Sequence, residues 1–302
     1  MKLYRFTLVA LSLSFFSAQA QFDYKAQFMT KALKTAKTIC IVTNDLDPNM
    51  DKANQQLEEA VKKYWTATKP EFTTAKYSEI KNKKSPELYF GIVRTINNAL
   101  YDNKGPEAQA LYTLTFLNSE KGDKPVMNTT HPRVYLLKDF DELDVIWAVR
   151  LLNSYAEASI KGKYDNNLRA STGLTPPLYR LSELNAGKLK TKTLLLDKTM
   201  LDKKLDEATI KENYPHKFKL VSRQEMLDAV KNGTPQQAYF QSAPFIDDHT
   251  GSVIVAPVIM DTETGNMLSY SKVTSMVMTN SFNPKPAVAT KGNLKEIVKN
   301  AE

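Results

Sequence analysis

Five residues of this chain have the side chains and the spacing to bind a divalent metal. Asp45 and Asp47 stand two positions apart in the stretch TNDLDPNMD, directly after an apolar run. Asp247, Asp248 and His249 stand together in the stretch DDHTG, between two apolar runs. Carboxylate oxygens bind calcium and magnesium, and carboxylates together with imidazole bind zinc. In α/β folds, ligands bind where the chain leaves the carboxyl end of a strand. These residues are therefore the candidate metal ligands.

Neither stretch completes a metal motif. Residues 45–51 follow the alternating pattern of a calcium loop, but Met50 and Gln56 stand where that loop requires glycine and glutamate. The Asp45-x-Asp47 spacing is also similar to that of the haloacid-dehalogenase phosphatases, although no downstream aspartate pair accompanies it. The DDHTG stretch lacks a further ligand at a fixed spacing. The alternative is a turn in which Asx side chains cap their own backbone and the next helix.

The sequence contains no complete catalytic set of any other kind either. The chain has 10 glycines and no glycine-rich phosphate loop. We therefore favour a non-enzymatic protein without a cofactor. The alternative is a metal-dependent hydrolase that uses calcium or another divalent ion, either at the Asp-rich loop 45–51 with Asp45 and Asp47 or at the loop with Asp247, Asp248 and His249. A third hypothesis is a ligand-binding protein with Tyr89, Tyr239 and Phe240 as aromatic walls, although these residues also fit strand cores.

Composition and the first residues indicate an exported protein. Residues 1–20 combine Lys2 and Arg5 with an apolar stretch and an Ala-Gln-Ala end, which is the pattern of a cleaved signal peptide. The only cysteine, Cys40, lies in the apolar run ICIV and is predicted to be a buried thiol. We expect a periplasmic or secreted protein without a transmembrane segment.

The charge of the chain bears on its partners. The formal net charge is +8, which favours contact with an anionic envelope surface. No cluster of lysine and arginine alternates with aromatic residues, so nucleic acid is not an expected partner.

One series of elements is predicted twice. KTICIV at 37–42 and KTLLLD at 192–197 are apolar runs that open with the same Lys-Thr pair, and each predicts a buried strand. Landmarks that follow in the same order, such as Asp47 and Asp202, indicate a duplication. We therefore predict an α/β fold of two tandem related β-α-β-α-β-β-β units with mixed sheets, joined by a helix and a linker.

The predicted elements divide the chain after the signal peptide into three parts. Residues 21–162 form the first α/β domain, which ends in a long helix expected to pack on that domain. Residues 163–191 are rich in Asn, Thr and Gly and predict a linker. Residues 192–302 form the second α/β domain with a C-terminal extension.

The end of the second unit resembles a module of bacterial envelope proteins. The stretch GSVIVAPVIMDTETGNMLSYSKV contains a D-x-x-T-G turn from Asp261 to Gly265 between two strands. The N-terminal domain of the translocation protein TolB, the curli secretion lipoproteins and the penicillin-binding-protein activator lipoproteins end similarly. The full arrangement is also similar to that of other exported proteins of Gram-negative bacteria. The resemblance implies a non-catalytic module that contacts envelope proteins, and it carries over no site residues.

Overall fold

The computed structural model describes residues 31, 33–80, 82–83, 88–95, 111–118, 126–127, 133–161, 185–246, 253–271 and 286–302. The predicted signal peptide, most of the predicted linker and the DDHTG stretch lie outside these ranges. The described part is an α/β protein with two mixed sheets, which confirms the predicted fold class. No helix within it is long and apolar enough to cross a bilayer.

The first sheet has six strands in the first half of the chain, residues 31–161. They are β1 (Thr38–Thr43), β2 (Glu71–Lys76), β3 (Leu88–Thr95), β4 (Leu111–Asn118), β5 (Val126–Met127) and β6 (Arg133–Leu136). Their order is β2-β1-β3-β4-β5, and β6 also pairs with β4. β1 is parallel to β2 and β3, whereas β4 is antiparallel to its three neighbours. β1 is apolar throughout its centre because both of its faces are buried.

Among the described residues of the first half, the helices with both ends described are α1 (Asp51–Tyr64), α2 (Tyr77–Ile80) and α3 (Glu142–Ile160). α1 buries a stripe of residues at helical spacing, as its sequence predicts. Asp51 has the side chain of a good N-cap, but it is the first helical residue, and Met50 occupies the cap position without a side-chain bond. A 3-10 turn over Pro48–Met50 leads into α1 and accounts for this shift.

The second sheet lies in the second half, residues 185–302. Its strands are β7 (Thr193–Asp197), β8 (Phe218–Val221), β9 (Gln237–Ile246), β10 (Val253–Asp261) and β11 (Met267–Tyr270). Their order, β11-β10-β9-β7-β8, repeats the order and the directions of the first five strands. The predicted duplication of the two units would leave such a shared order, and the duplication itself stays a prediction.

The second sheet is covered on both faces. Its helices are α4 (Glu207–Asn213), α5 (Arg223–Lys231) and α6 (Lys291–Ala301). α4 and α6 pack on one face together with a 3-10 turn over Ala186–Thr191, which falls in the predicted linker. α4 begins at Glu207, because Asp206 accepts the N–H of Thr209 as an N-cap.

The long helix α3 lies between the two halves. Every residue from Val145 to Ala156 is buried, which is expected only of a helix that is covered on all sides. α3 packs against α1, β4 and β6 in the first half and against α5 in the second. One hydrophobic cluster therefore extends from Ile39 in β1 through α3 to Tyr239 in β9. The sequence had placed this helix against the first domain alone.

Candidate functional site

The loop after β1 holds the first two predicted metal ligands, and both accept hydrogen bonds from nearby backbone. Asp45 accepts the N–H of Ser78, with 3.0 Å between nitrogen and oxygen, and also the hydroxyl of Ser78. These two bonds keep the pKa of Asp45 below its ordinary value. Oδ1 of Asp47 accepts the N–H of Asn49 at 3.0 Å and starts the 3-10 turn. Asp47 therefore caps its own turn, as the Asx-turn interpretation predicts, whereas Asp45 binds the start of α2, 33 positions further along the chain.

No third metal ligand joins this loop in the described ranges. There, no three His, Cys, Asp or Glu side chains form a group that would hold a metal ion. Asp247, Asp248 and His249 lie outside the described residues, so their role as ligands stays a prediction. The hydroxyl of Tyr112 lies 3.5 Å from Oδ2 of Asp47, too far for a strong bond.

The three predicted aromatic walls are core residues. Tyr89, Tyr239 and Phe240 are all buried, and each belongs to a different hydrophobic cluster. They do not face one common pocket. Cys40 is buried beside Tyr89, which confirms the predicted buried thiol.

The D-x-x-T-G segment, called here the hairpin turn (Asp261–Gly265), is tied to the first residues of β7. Nζ of Lys192 lies 3.0 Å from Oδ2 of Asp261, and the two side chains are only 11% and 5% exposed. The other oxygen of Asp261 accepts the N–H groups of Glu263 and Thr264 at 2.9 and 3.2 Å. The lysine of the second Lys-Thr pair therefore neutralises the aspartate that shapes the turn.

Arg150 of α3 joins the hairpin turn to both halves of the protein. It is 5% exposed, and its Nη1 donates to the carbonyl of Thr262 at 2.7 Å. Its Nη2 donates to the carbonyl of Val230 at the end of α5, and its guanidinium lies 4.3 Å from the ring centre of Tyr64 in α1. The aliphatic part of the side chain packs against Gly265. A buried cation is satisfied here by two carbonyls and an aromatic face.

A second polar cluster joins the start of α3 to the second half. Arg223 at the start of α5 donates from Nε and Nη2 to the carboxylate of Asp141 at 2.6 and 2.9 Å, and Nη2 also reaches Asp144 at 3.0 Å. Gln241 of β9 donates to Asp144 at 2.5 Å. Asp141 and Asp144 cap each other's N–H groups at the first turn of α3.

The two carboxylates of this cluster have opposite pKa shifts. Burial opposes ionisation of Asp141, but the bonds from Arg223 outweigh it and hold the pKa below its ordinary value. Burial raises the pKa of Asp144, and the neighbouring charge of Asp141 adds to the rise although Arg223 opposes it. The cluster has a structural role, because its hydrogen bonds connect the start of α3 to α5 and β9. Sequence reasoning did not find it, since its residues are spread over a hundred positions.

Among the strands whose burial is described at every residue, β2 is the most exposed, and it forms an edge of the first sheet. All six residues of β2 are exposed or half-buried, although the strand lies directly beside the buried β1. Leu46 is 58% exposed and is one of two large exposed hydrophobic residues in the described ranges. It follows Asp45, whose bonds to Ser78 place this loop beside the end of β2. We call β2 and Leu46 together the β2 edge.

The other parallel edge strand, β8, is shorter and more buried. It has four residues and ends in the buried Val221. Phe218 and Leu220 pack against the cluster of the second sheet. The β2 edge therefore offers the longer and more exposed backbone.

In comparison with known proteins, the chain matches no family model, no curated protein and no solved structure.

Proposed function

We propose that this protein is an exported, non-enzymatic binding or scaffold protein of the bacterial cell envelope, and that it binds protein partners along the β2 edge. The observation that carries the proposal is the exposed strand at the end of a sheet, beside an exposed leucine. A strand edge presents unpaired N–H and C=O groups that pair with an extended segment of another chain. The signal-peptide pattern and the resemblance to envelope modules support the location.

The hydrogen bonds between β1 and β2 identify the backbone groups that are open to a partner. Glu71 donates its N–H to the carbonyl of Lys37 at 2.8 Å, and the carbonyl of Ala75 accepts the hydroxyl of Thr43. Glu71 and Ala75 therefore face β1. Because backbone groups alternate in direction along a strand, Thr74 and its second neighbours face away from β1. No strand of the described residues lies on that side.

The partner that fits this edge is an extended peptide segment that places an apolar side chain beside Leu46. Main-chain hydrogen bonds give such a complex its affinity, and side-chain contacts give it specificity. Large exposed apolar residues are uncommon in the described part of this protein, so Leu46 is the natural contact for that side chain. Glu71 and Lys76 stand at the two ends of the strand. They favour a segment that places a basic residue beside Glu71 and an acidic residue beside Lys76.

The alternative, a metal-dependent hydrolase, has weaker support. Both oxygens of Asp45 accept bonds from Ser78, and Oδ1 of Asp47 caps the following turn. A metal at this loop would have to replace those bonds. The other candidate site, Asp247, Asp248 and His249, lies outside the described residues. The binding function does not require the bonds of Asp45 and Asp47 to change.

The test uses a proline that removes one outward N–H of β2. Peptides are selected from a display library on the immobilised wild-type protein, and their affinities are then measured for the variants. Thr74→Pro should weaken binding about tenfold or more, because one main-chain bond is lost and the ring blocks the edge. Thr74→Ala is the matched control, since it changes the same side chain but keeps the N–H.

Two further variants complete this experiment. Leu46→Ser should weaken binding severalfold without changing the fold, because Leu46 is exposed. Thr73→Pro should instead destabilise the protein, since residue 73 faces β1 and its N–H belongs to the ladder. Peptides that bind Thr74→Pro and Leu46→Ser as tightly as the wild type would overturn the proposal.

A further inference from the structure

We infer that a row of lysines on the second half binds a membrane surface of anionic phospholipids. We call this row the lysine ridge. It consists of exposed residues on α6 and on the adjacent 3-10 turn, namely Lys188, Lys190, Lys291, Lys295 and Lys299. The ridge is separate from the β2 edge, which belongs to the first sheet.

The lysines of α6 lie on one side of the helix. Lys291, Lys295 and Lys299 follow one another at intervals of four residues, so their Cα atoms are about 6 Å apart and the row is about 12 Å long. The opposite side of α6 is buried in the cluster beneath the second sheet through residues such as Leu294 and Ile297. The lysines therefore project away from the protein.

The 3-10 turn widens this row into a surface. Leu189 at its centre is buried in the same cluster as Leu294 of α6. The 3-10 turn and α6 both bury their apolar side in this cluster, on one face of the second sheet. Their opposite sides therefore both face solvent on that side of the protein. Lys188 and Lys190 stand on either side of Leu189 and are both exposed.

Few carboxylates oppose the charge of the ridge. Glu296 of α6 is directed inward, where it accepts the hydroxyl of Ser271 at 2.5 Å. No carboxylate of the described residues forms an ion pair with any lysine of the ridge, and Nζ of Lys188 donates to the amide oxygen of Asn185. Glu302 stands at the end of α6. The neighbouring α4 carries Glu207 and Glu212 against Lys211 and is therefore acidic by one charge, so the positive excess lies on α6 and the turn and not on α4.

The arrangement of α6 is unfavourable for the helix itself. Lysines at i and i+4 repel one another and destabilise a helix by about 0.2–0.5 kcal/mol per pair, and Lys291 lies at the positive end of the helix dipole. α1 shows the usual arrangement, in which Lys62 pairs with Glu58 four residues before it. Lys299 in the last turn is favourable for the helix dipole, but the two i, i+4 repulsions and Lys291 are not. Helix stability therefore does not explain the row as a whole, and an external anionic partner accounts for it.

An anionic lipid surface fits the ridge better than a nucleic acid does. The ridge contains no aromatic residue on which bases would stack and no arginine for bidentate phosphate contacts. The apolar side of α6 is buried, so the helix has nothing to insert into hydrocarbon and contact is limited to headgroups. Each lysine near an anionic membrane contributes about 1 kcal/mol, which corresponds to about fivefold in affinity.

The experiment measures partitioning of the purified full chain onto vesicles of phosphatidylglycerol and phosphatidylcholine in equal parts. The variant Lys291→Gln/Lys295→Gln/Lys299→Gln should bind about 100-fold more weakly than the wild type at low salt. The matched control is Lys34→Gln/Lys52→Gln/Lys83→Gln, which loses the same charge at exposed positions of the first half and should bind severalfold more tightly than the ridge variant.

Thermal unfolding checks that the ridge variant is folded. Because the substitutions remove two repulsive i, i+4 pairs, its melting temperature should equal or exceed that of the wild type. Equal loss of vesicle binding in the ridge variant and the matched control would overturn the inference, because net charge alone would then explain binding. Retention of the wild type on a soluble polyanion such as heparin without binding to the vesicles would also overturn it.

Discussion

Replacing Gly265 by alanine tests how closely the hairpin turn packs on α3. Gly265 has a φ of +70°, and a Cβ atom added to it would lie 2.6 Å from Cδ and 2.9 Å from Cβ of Arg150. Gly233 is a matched control, because its φ is +59° and an added Cβ would meet no heavy atom of the described structure within 4 Å. Both substitutions strain the backbone, but only the one at Gly265 also creates an overlap.

The expected losses in the free energy of unfolding follow from the backbone strain and the steric overlap. An alanine in the left-handed region costs about 1–2 kcal/mol, and this term is common to both variants. Forcing an extra carbon into filled space adds about 1–3 kcal/mol. Gly265→Ala should therefore lower the free energy of unfolding by about 2–5 kcal/mol, and Gly233→Ala by about 1–2 kcal/mol. The difference measures the contact between the hairpin turn and α3.

Urea unfolding monitored by circular dichroism gives both free energies by linear extrapolation. Equal losses in the two variants would refute the reasoning, because the overlap with Arg150 would then cost nothing. The double variant Arg150→Ala/Gly265→Ala provides a second check. Arg150→Ala removes the overlap with Cδ but keeps the one with Cβ, so the two single losses should add to somewhat more than the loss of the double variant.

The remaining predictions concern the buried charges. Lys192→Met should cost about 3–5 kcal/mol, because it leaves the carboxylate of Asp261 buried without its cation; a loss below about 1 kcal/mol in urea unfolding would contradict this. Asp144→Asn should gain stability relative to the wild type as the pH rises above 3.8, because a raised folded pKa makes the ionised wild type less stable there. Asp141→Asn should lose stability at pH 7, and the loss should shrink as the pH falls below 3.8, because a lowered folded pKa stabilises only the ionised form. Urea midpoints of the variants and the wild type across a pH series check both signs, and parallel curves would contradict them.

The strands and most helices could be predicted from the sequence because their signals are local. Short apolar runs identified β1 and β7, which begin at Thr38 and Thr193, the two Lys-Thr landmarks. The capping box of Ser222 and Glu225 likewise lies within the sequence of α5. The start of α4 is less clear from periodicity, because apolar residues such as Leu201 and Leu205 continue before Asp206, whereas the cap fixes where the helix begins.

The joints between the halves could not be predicted, because their partners are distant in the chain. Arg150 sits in the middle of an apolar helix, and the carbonyl that satisfies it belongs to a residue 112 positions later. The apolar stripe of α3 predicted one buried side, but the second half also covers the polar side. The exposure of β2 could not be predicted either. Periodicity predicts that a segment is a strand, but it does not predict the position of that strand in the sheet.

The position of α3 also affects how the chain acquires its structure during synthesis. The ribosome makes Arg150 well before Thr262, and at about 5–20 residues per second the 112 positions between them take roughly 6–22 s. Throughout that interval, the side of α3 that later packs on the second half has no cover. The first half is therefore an incomplete folding unit until the last strand emerges. A chaperone that holds nascent apolar surface would find its natural target in α3.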